Sequence, residues 1–372
     1  MHTILNQPTI DKTNKLGLSD FEDITDEAWQ GTDIAITLAL NEGWNWTSHN
    51  LNEDIDRTRF TTYAQTIRGC DEEYTTDETA TETGDLESLM PAIGYKLKMK
   101  QDADITLRGA LYDVTTPVSL TEGWNWVGAP LYNATTIEAA LAELQAEDGD
   151  MVVGQDAFAV YSDGVWHGSL SALSPGQAYM IKVGRAQTFC WSSLSPVKSR
   201  MRRYQSARQT QDAAWQTDIY AYPDVMTVVA EVSAEGDINL DGTYYVGAFV
   251  DGECRGVGVT EDGKLYMNIH GGKQENISFR LLDAEGECYE TDKETTFQTL
   301  ATLGNYTTPH PLTFYTKDIL DDITPLPTYA KQVKEVHYHN MAGQEVQNPA
   351  DGIYIKIVRY ADGTTDVRKV RL

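Results

Sequence analysis

Residues 38–51, LALNEGWNWTSHNL, return 80 residues later as VSLTEGWNWVGAPL at 118–131. A second pair follows in step, because Met90-Pro91-Ala92-Ile93-Gly94-Tyr95-Lys96-Leu97-Lys98 is answered by Ser174-Pro175-Gly176-Gln177-Ala178-Tyr179-Met180-Ile181-Lys182. Self-similarity at a fixed spacing confines the chain to copies of one supersecondary unit. Two tandem modules are therefore expected, at 32–113 and 114–194, after an N-terminal extension at 1–31.

Each copy opens with an apolar strand running into Glu-Gly and then Trp-Asn-Trp. A period of two sends both indoles to one sheet face. Two readings follow for Trp44, Trp46, Trp124 and Trp126. As core anchors they bury large apolar area at ~25 cal/mol per Å²; as a ligand-binding platform they offer flat indoles to the C–H faces of sugars. The Pro-x-x-x-Tyr segment near each module's end alternates apolar residues and Lys, as a half-exposed closing strand does.

The copies differ between these landmarks. The second carries TTIEAALAELQAEDGD, where Ile137, Ala140, Leu141 and Leu144 recur at helical spacing after capping residues Thr135 and Thr136, which predicts one short helix. The first carries DEEYTTDETATETGDLE, eight acids with no base, which reads as a solvated mobile loop because its carboxylates lack the ordered spacing of a calcium loop. Residues 195–214 form a linker, basic in its first part, SPVKSRMRRYQSARQTQ.

From 215 to 318 the segments DVMTVVAEVS, YYVGAFVDGECRGVGV, KLYMNIHG and NISFRLLDA are separated by Gly, Asp and Asn turns, a β-sandwich pattern with a hairpin turn at Asp251-Gly252. The GAF-x-x-GECRG-V text resembles a β-sandwich module of large cell-surface proteins in gut-type Gram-negative bacteria. The resemblance implies an extracellular setting without known catalysis, and leaves Glu253 and Arg255 as module markers, expected to form an internal ion pair or a hairpin brace. Asp237, Asn239 and Asp241 have the opening spacing of an EF-hand loop, but Ala248 stands at the twelfth position where a bidentate Glu belongs. Calcium is thus the one cofactor considered, against the plainer reading of an Asp- and Gly-rich turn.

After a linker at 319–330, residues 331–372 close the chain with three strand-like runs separated by Ala342-Gly343 and Asp362-Gly363. This tail resembles the C-terminal sorting domain of the type IX secretion system. The markers are Asn340, Gly343, Val346, Gly352, Ile353, Tyr354, Lys369 and Val370, with His337 and His339 departing from the family text. The resemblance implies a small Ig-like β-sandwich, recognition by an outer-membrane translocon, and removal by a sortase-like enzyme that attaches the body to a surface glycolipid.

Composition narrows the functional classes. Asp plus Glu at 56 against Lys plus Arg at 29 gives a net charge of −27, which repels nucleic acid and anionic lipid. No apolar run approaches a membrane span, and the first 15 residues lack a signal peptide's apolar centre, so an extracellular location implies an export signal upstream of Met1. Four cysteines are too few for a disulfide scaffold, although Cys254 and Cys288 fall in one module and are candidates for a bridge. Nucleophile-elbow, zincin, Walker and dinucleotide motifs are missing from the text.

The expected fold is mainly all-β, with tandem small β modules, a β-sandwich, a C-terminal sorting sandwich and one short helix. The expected function is a non-catalytic secreted or surface-anchored protein with an adhesive, binding or spacer role, possible partners being a glycan or a host surface. The alternative is a carbohydrate-binding protein or accessory module of a polysaccharide-degrading system.

Overall fold

A computed structural model describes residues 34–192, 215–240, 244–272, 274–316, 319, 333–340, 344–346, 353–360 and 365–371. The protein is all-β, with helix at Thr58–Thr61 and Ile137–Ala140. The second of these is the predicted helix: Thr136 caps it by accepting from the Ala139 N–H at 3.4 Å. The chain divides into two compact units, residues 1–316 and 317–372.

The two repeats fold to the same plan. In the first, a five-stranded antiparallel sheet runs Gly43–Thr47, Tyr95–Met99, Ala64–Arg68, Glu73–Thr76, Glu82–Gly84. In the second, the order is Gly123–Gly128, Ala178–Val183, Met151–Val153, Phe158–Ser162, Val165–Gly168. The two sheets share their strand order and part of their register, since Trp44 lies opposite Lys98 and Trp124 opposite Lys182.

The repeated letters have local causes. In both copies the Asn between the tryptophans braces the preceding Glu-Gly turn: Asn45 accepts from the Asn41 N–H at 2.9 Å and donates back to Asn41 O at 2.7 Å. Asn125 does the same with Thr121, at 2.9 Å each way. The turn needs glycine because Gly43 sits at φ 90° and Gly123 at φ 92°, a region closed to most side chains. The repeated Tyr reaches back across the Pro turn, so that Tyr95 Oη accepts from Met90 N–H at 2.8 Å and Tyr179 Oη from Ser174 N–H at 2.9 Å.

The acidic stretch is structured, contrary to expectation. Glu73–Thr76 pairs with Glu82–Gly84, Asp77 Oδ1 accepts from the Thr79 and Thr81 N–H groups across the turn, and Tyr74 is buried in the first repeat's core. Its acids sit on the wet side of a Tyr/Thr-rich hairpin whose β preference outweighs the charge.

Residues 224–315 form one mixed sheet whose path runs from Glu253–Val257 at one end to Val259–Glu261 at the other. Those end strands are consecutive in the chain, so the sheet curls back toward itself around a core that includes Val228, Val246, Met267, Phe279 and Phe314. The Asp251-Gly252 hairpin turn forms as expected, with both residues at positive φ.

Cys254 and Cys288 are free thiols, which corrects the possible bridge. Their strands are separated in the sheet by Tyr245–Val250 and Asn276–Leu282, three strand spacings of ~4.8 Å, well beyond disulfide reach.

The unit at 317–372 contains an antiparallel sheet of three strands, Val333–His339, Ile353–Tyr360 and Thr365–Arg371, in that order.

Candidate functional site

Alternation within each repeat sets two faces against different partners. Tyr95, Leu97 and Met99 point into the first repeat's core, and Val127, Tyr179 and Ile181 into the second's. The opposite face carries Trp46, Trp126, Lys96 and Met180, and it belongs to neither core. There Trp46, Met151, Val153, Phe158, Val160 and Met180 pack with Val225, Val229 and Tyr266 of the third module in a separate apolar cluster. The Trp-Asn-Trp repeats therefore lie at a three-way junction.

Between the repeats the contacts are reciprocal. The Ser48 N–H donates to Gly176 O at 3.0 Å, and the Gly128 N–H, the equivalent donor, donates to Ala92 O, the equivalent acceptor, at 2.9 Å. The bridges Thr47 to Gln177 and Val127 to Ile93 obey the same exchange. The repeats are thus related by a local pseudo-twofold, an isologous contact within one chain. It also pairs backbone at the edge strands Gly43–Thr47 and Gly123–Gly128, which would otherwise be exposed for aggregation.

Lys96 lies near this axis and is 1% exposed. Its Nζ stands 4.3 Å from the Trp46 ring and 5.0 Å from the Trp126 ring, and 2.8 Å from Asp224 Oδ1 of the third module. Burial pulls its ammonium below the ordinary lysine range, and Asp224 opposes that pull. At the equivalent position the second repeat has Met180.

Gln155 of the second repeat ties all three parts. Its Oε1 accepts from the Trp46 N–H at 2.9 Å, and its Nε2 donates to Trp44 O at 2.7 Å and to Ile219 O at 2.8 Å. The amide acts as an added peptide group along the Trp strand. Trp46 Nε1 donates to Pro223 O at 3.0 Å, and the Trp44 N–H to Tyr220 O at 2.7 Å.

The four tryptophans are not equivalent. Trp44 and Trp46 are buried, at 8% and 1% exposure, whereas Trp124 and Trp126 are half-buried. Arg68 covers Trp44 at 5.3 Å, and Lys182 lies 5.9 Å from Trp124.

Beside the junction lies a cavity of about 340 Å³ between the second repeat and the third module. Ser169, Ser171, Ser174, Gln177 and Asp156 line it on one side, and Tyr266 and Asn268 on the other. Asn268 Nδ2 donates to Gly154 O at 3.1 Å. Sequence reading missed this cavity, because its residues come from four separated segments without a shared motif.

In the third module Arg255 is buried, its guanidinium 3.7 Å from the Tyr222 ring centre, 3.3 Å from Glu253 and 3.2 Å from Glu275. Of the two expected roles for the marker residues, the ion pair forms, and a second carboxylate extends it. Behind them His270 is buried, and desolvation, reinforced by the Arg255 charge, lowers its pKa to about 4.

Asp237 and Asn239 are exposed after the Asp224–Glu235 strand, and Asp241 lies outside the described residues. Among the described residues no three His, Cys, Asp or Glu side chains gather as a metal site.

In the tail, Asn340 and Gln344 are joined twice: Asn340 Oδ1 accepts from the Gln344 N–H at 3.0 Å, beside a backbone bond from the Asn340 N–H to Gln344 O at 2.9 Å. Tyr354 is half-buried opposite Val370, and Lys369 stands opposite Ile355. Gly343 and Gly352 lie outside the described residues. No helix among the described residues is long and apolar enough to cross a membrane.

No protein-family model matches the chain, and no curated protein matches it. Among solved structures it is similar to a gamma-CGTase from alkalophilic Bacillus clarkii, at 10% identity and a TM-score of 0.17, over 76% of this chain and 38% of that one. It is also similar to a putative membrane anchored protein from Corynebacterium diphtheriae, at 12% identity and a TM-score of 0.16, over 89% and 61%. The chain thus spans less than two thirds of either. At these TM-scores neither likeness bears on fold or function.

Proposed function

We propose that this chain is a non-catalytic, surface-displayed modular protein, with a fused body that serves as a binding or spacer element and a tail at 331–372 that directs export through the type IX system. The observation that carries the reading for the body is the junction. Trp46, Lys96, Asp224 and Gln155 join both repeats and the third module into one unit, which suits a body that acts as a single binding or spacer element. For the tail, the support is its own three-stranded sheet within the compact unit 317–372, with the marker Asn340 hydrogen-bonded to Gln344.

In this reading an outer-membrane translocon recognises the tail and a sortase-like enzyme removes it, leaving the body on the surface. Deleting 331–372 in a host with the type IX system, followed by cell fractionation, tests it: retention of the product inside the cell is expected, and surface delivery without the tail refutes it.

A second reading, a carbohydrate-binding accessory protein, draws on the half-buried Trp124 and Trp126. Glycan-array binding that disappears in a folded Trp124→Ala variant favours it over a spacer role.

A further inference from the structure

The cavity between the second repeat and the third module combines an unusual set of walls. Along Lys264–Gly271, Leu265, Met267 and Ile269 face the third module's core, which turns Tyr266 and Asn268 outward to the second repeat. Both residues line the cavity and both are more than nine-tenths buried. Tyr266 Oη and Asn268 Oδ1 nevertheless have no hydrogen-bond partner among the described residues. Buried polar atoms of native proteins are nearly always satisfied, so two orphans in one wall are unusual; each has less than 1 Å² of accessible surface, so an occupant of the cavity completes them only with a small shift of that wall.

The chemistry of the walls restricts what that is. No Lys, Arg or His lines the cavity, and its charged lining residue is Asp156, so an anion is disfavoured. Hydroxyls and an amide, from Ser171, Ser174 and Gln177, face aromatic and aliphatic surface from Tyr179, Val257 and Val259. Such a mixture matches a molecule with hydroxyls around its rim and C–H groups on its faces. A volume of about 340 Å³ lies at the small end of ligand sites, which run ~300–1,000 Å³. The orphaned carbonyl of Asn268 requires a donor, and the Tyr266 hydroxyl accepts or donates, which a neutral polyol supplies from the same group.

We propose that this cavity is a binding site for a neutral sugar unit, distinct from the tryptophan junction and independent of the tail's role in export. Ser171 and Gln177 are exposed lining residues, while Tyr266 and Asn268 are buried on the third-module side.

The test titrates the intact chain with glucose, galactose, mannose, N-acetylglucosamine and their disaccharides, by calorimetry and by thermal shift. Glucosamine and inorganic phosphate serve as charged controls. At least one neutral sugar is expected to bind with a Kd below about 10 mM and to raise the melting temperature. Ser171→Trp, which adds bulk at an exposed lining position, is expected to weaken it at least roughly tenfold, and Gln177→Ala to weaken it without altering the unliganded melting temperature. Together the variants guard against a misfolded plug. The proposal is overturned if no neutral sugar binds, which leaves the orphans to water alone, if phosphate binds as tightly, or if both folded variants bind undiminished.

Discussion

Lys96 Nζ and Asp224 Oδ1 lie 2.8 Å apart, and they join a strand of the first repeat to the first strand of the third module across 128 positions of sequence. The lysine is desolvated between two indole rings, so its charge depends on the carboxylate. Asp224→Ala leaves that cation buried without its counterion and is expected to cost about 3 kcal/mol. Lys96→Met, copying Met180 of the second repeat, combined with Asp224→Ala should recover most of that loss. Urea unfolding of the four members of the cycle checks it; additive losses would mean that the pair is not coupled.

Gln155 predicts a second large effect. Substitution by Leu keeps bulk and removes two buried hydrogen bonds, to Trp44 O and the Trp46 N–H, and a part-buried one to Ile219 O. The orphaned backbone groups should cost about 3 kcal/mol in denaturant unfolding, while Gln145→Leu at an exposed position changes stability little.

Gly128 lies in the contact between the repeats, with no room for a side chain. A Cβ there would stand 2.6 Å from Ser48 Cβ and 2.8 Å from Ile93 O. Gly128→Ala is expected to lower the melting temperature of the body by forcing the pseudo-twofold contact apart. Ser48→Gly, which removes one of the two obstructing groups, should restore part of it.

His270 gives the acid side of the stability profile a specific source. Its folded pKa of about 4 lies below the ordinary 6.5, so the unfolded chain binds its proton first as pH falls. The stability associated with neutral His270 is fully present above pH 6.5 and is lost as pH falls from 6.5 towards about 4. A shift of that size corresponds to about 3 kcal/mol. Comparing unfolding of the wild type and His270→Gln at pH 7 and pH 4 isolates the contribution, and a stability difference independent of pH contradicts it.

The all-β class was legible in the sequence, and the repeated text pointed to the strand order that the two five-stranded sheets share. The helix cap at Thr136 and the Asp251-Gly252 turn were readable because they are local. What period two cannot tell is which of two apolar faces meets a module's own core. The second repeat is buried on both, so Trp126 and Met180 read as core text while serving the junction. Gln155 and Asn268 carried no signal, because a lone amide gains its meaning only from backbone that arrives from elsewhere in the chain. The hairpin at Glu73–Thr76 was hidden by its charge, since the acids lie toward the solvent side and only Tyr74 and Thr76 of that strand are buried.

The central claim is that the Trp-Asn-Trp repeats weld the body rather than serve as its ligand surface, and Trp46→Ala tests it most directly. Calorimetric unfolding of residues 1–372 should show the body's transition lowered or split in the variant, with a loss of about 3–5 kcal/mol for a tryptophan this buried. A transition unchanged from wild type, accompanied by loss of glycan binding, would contradict the account.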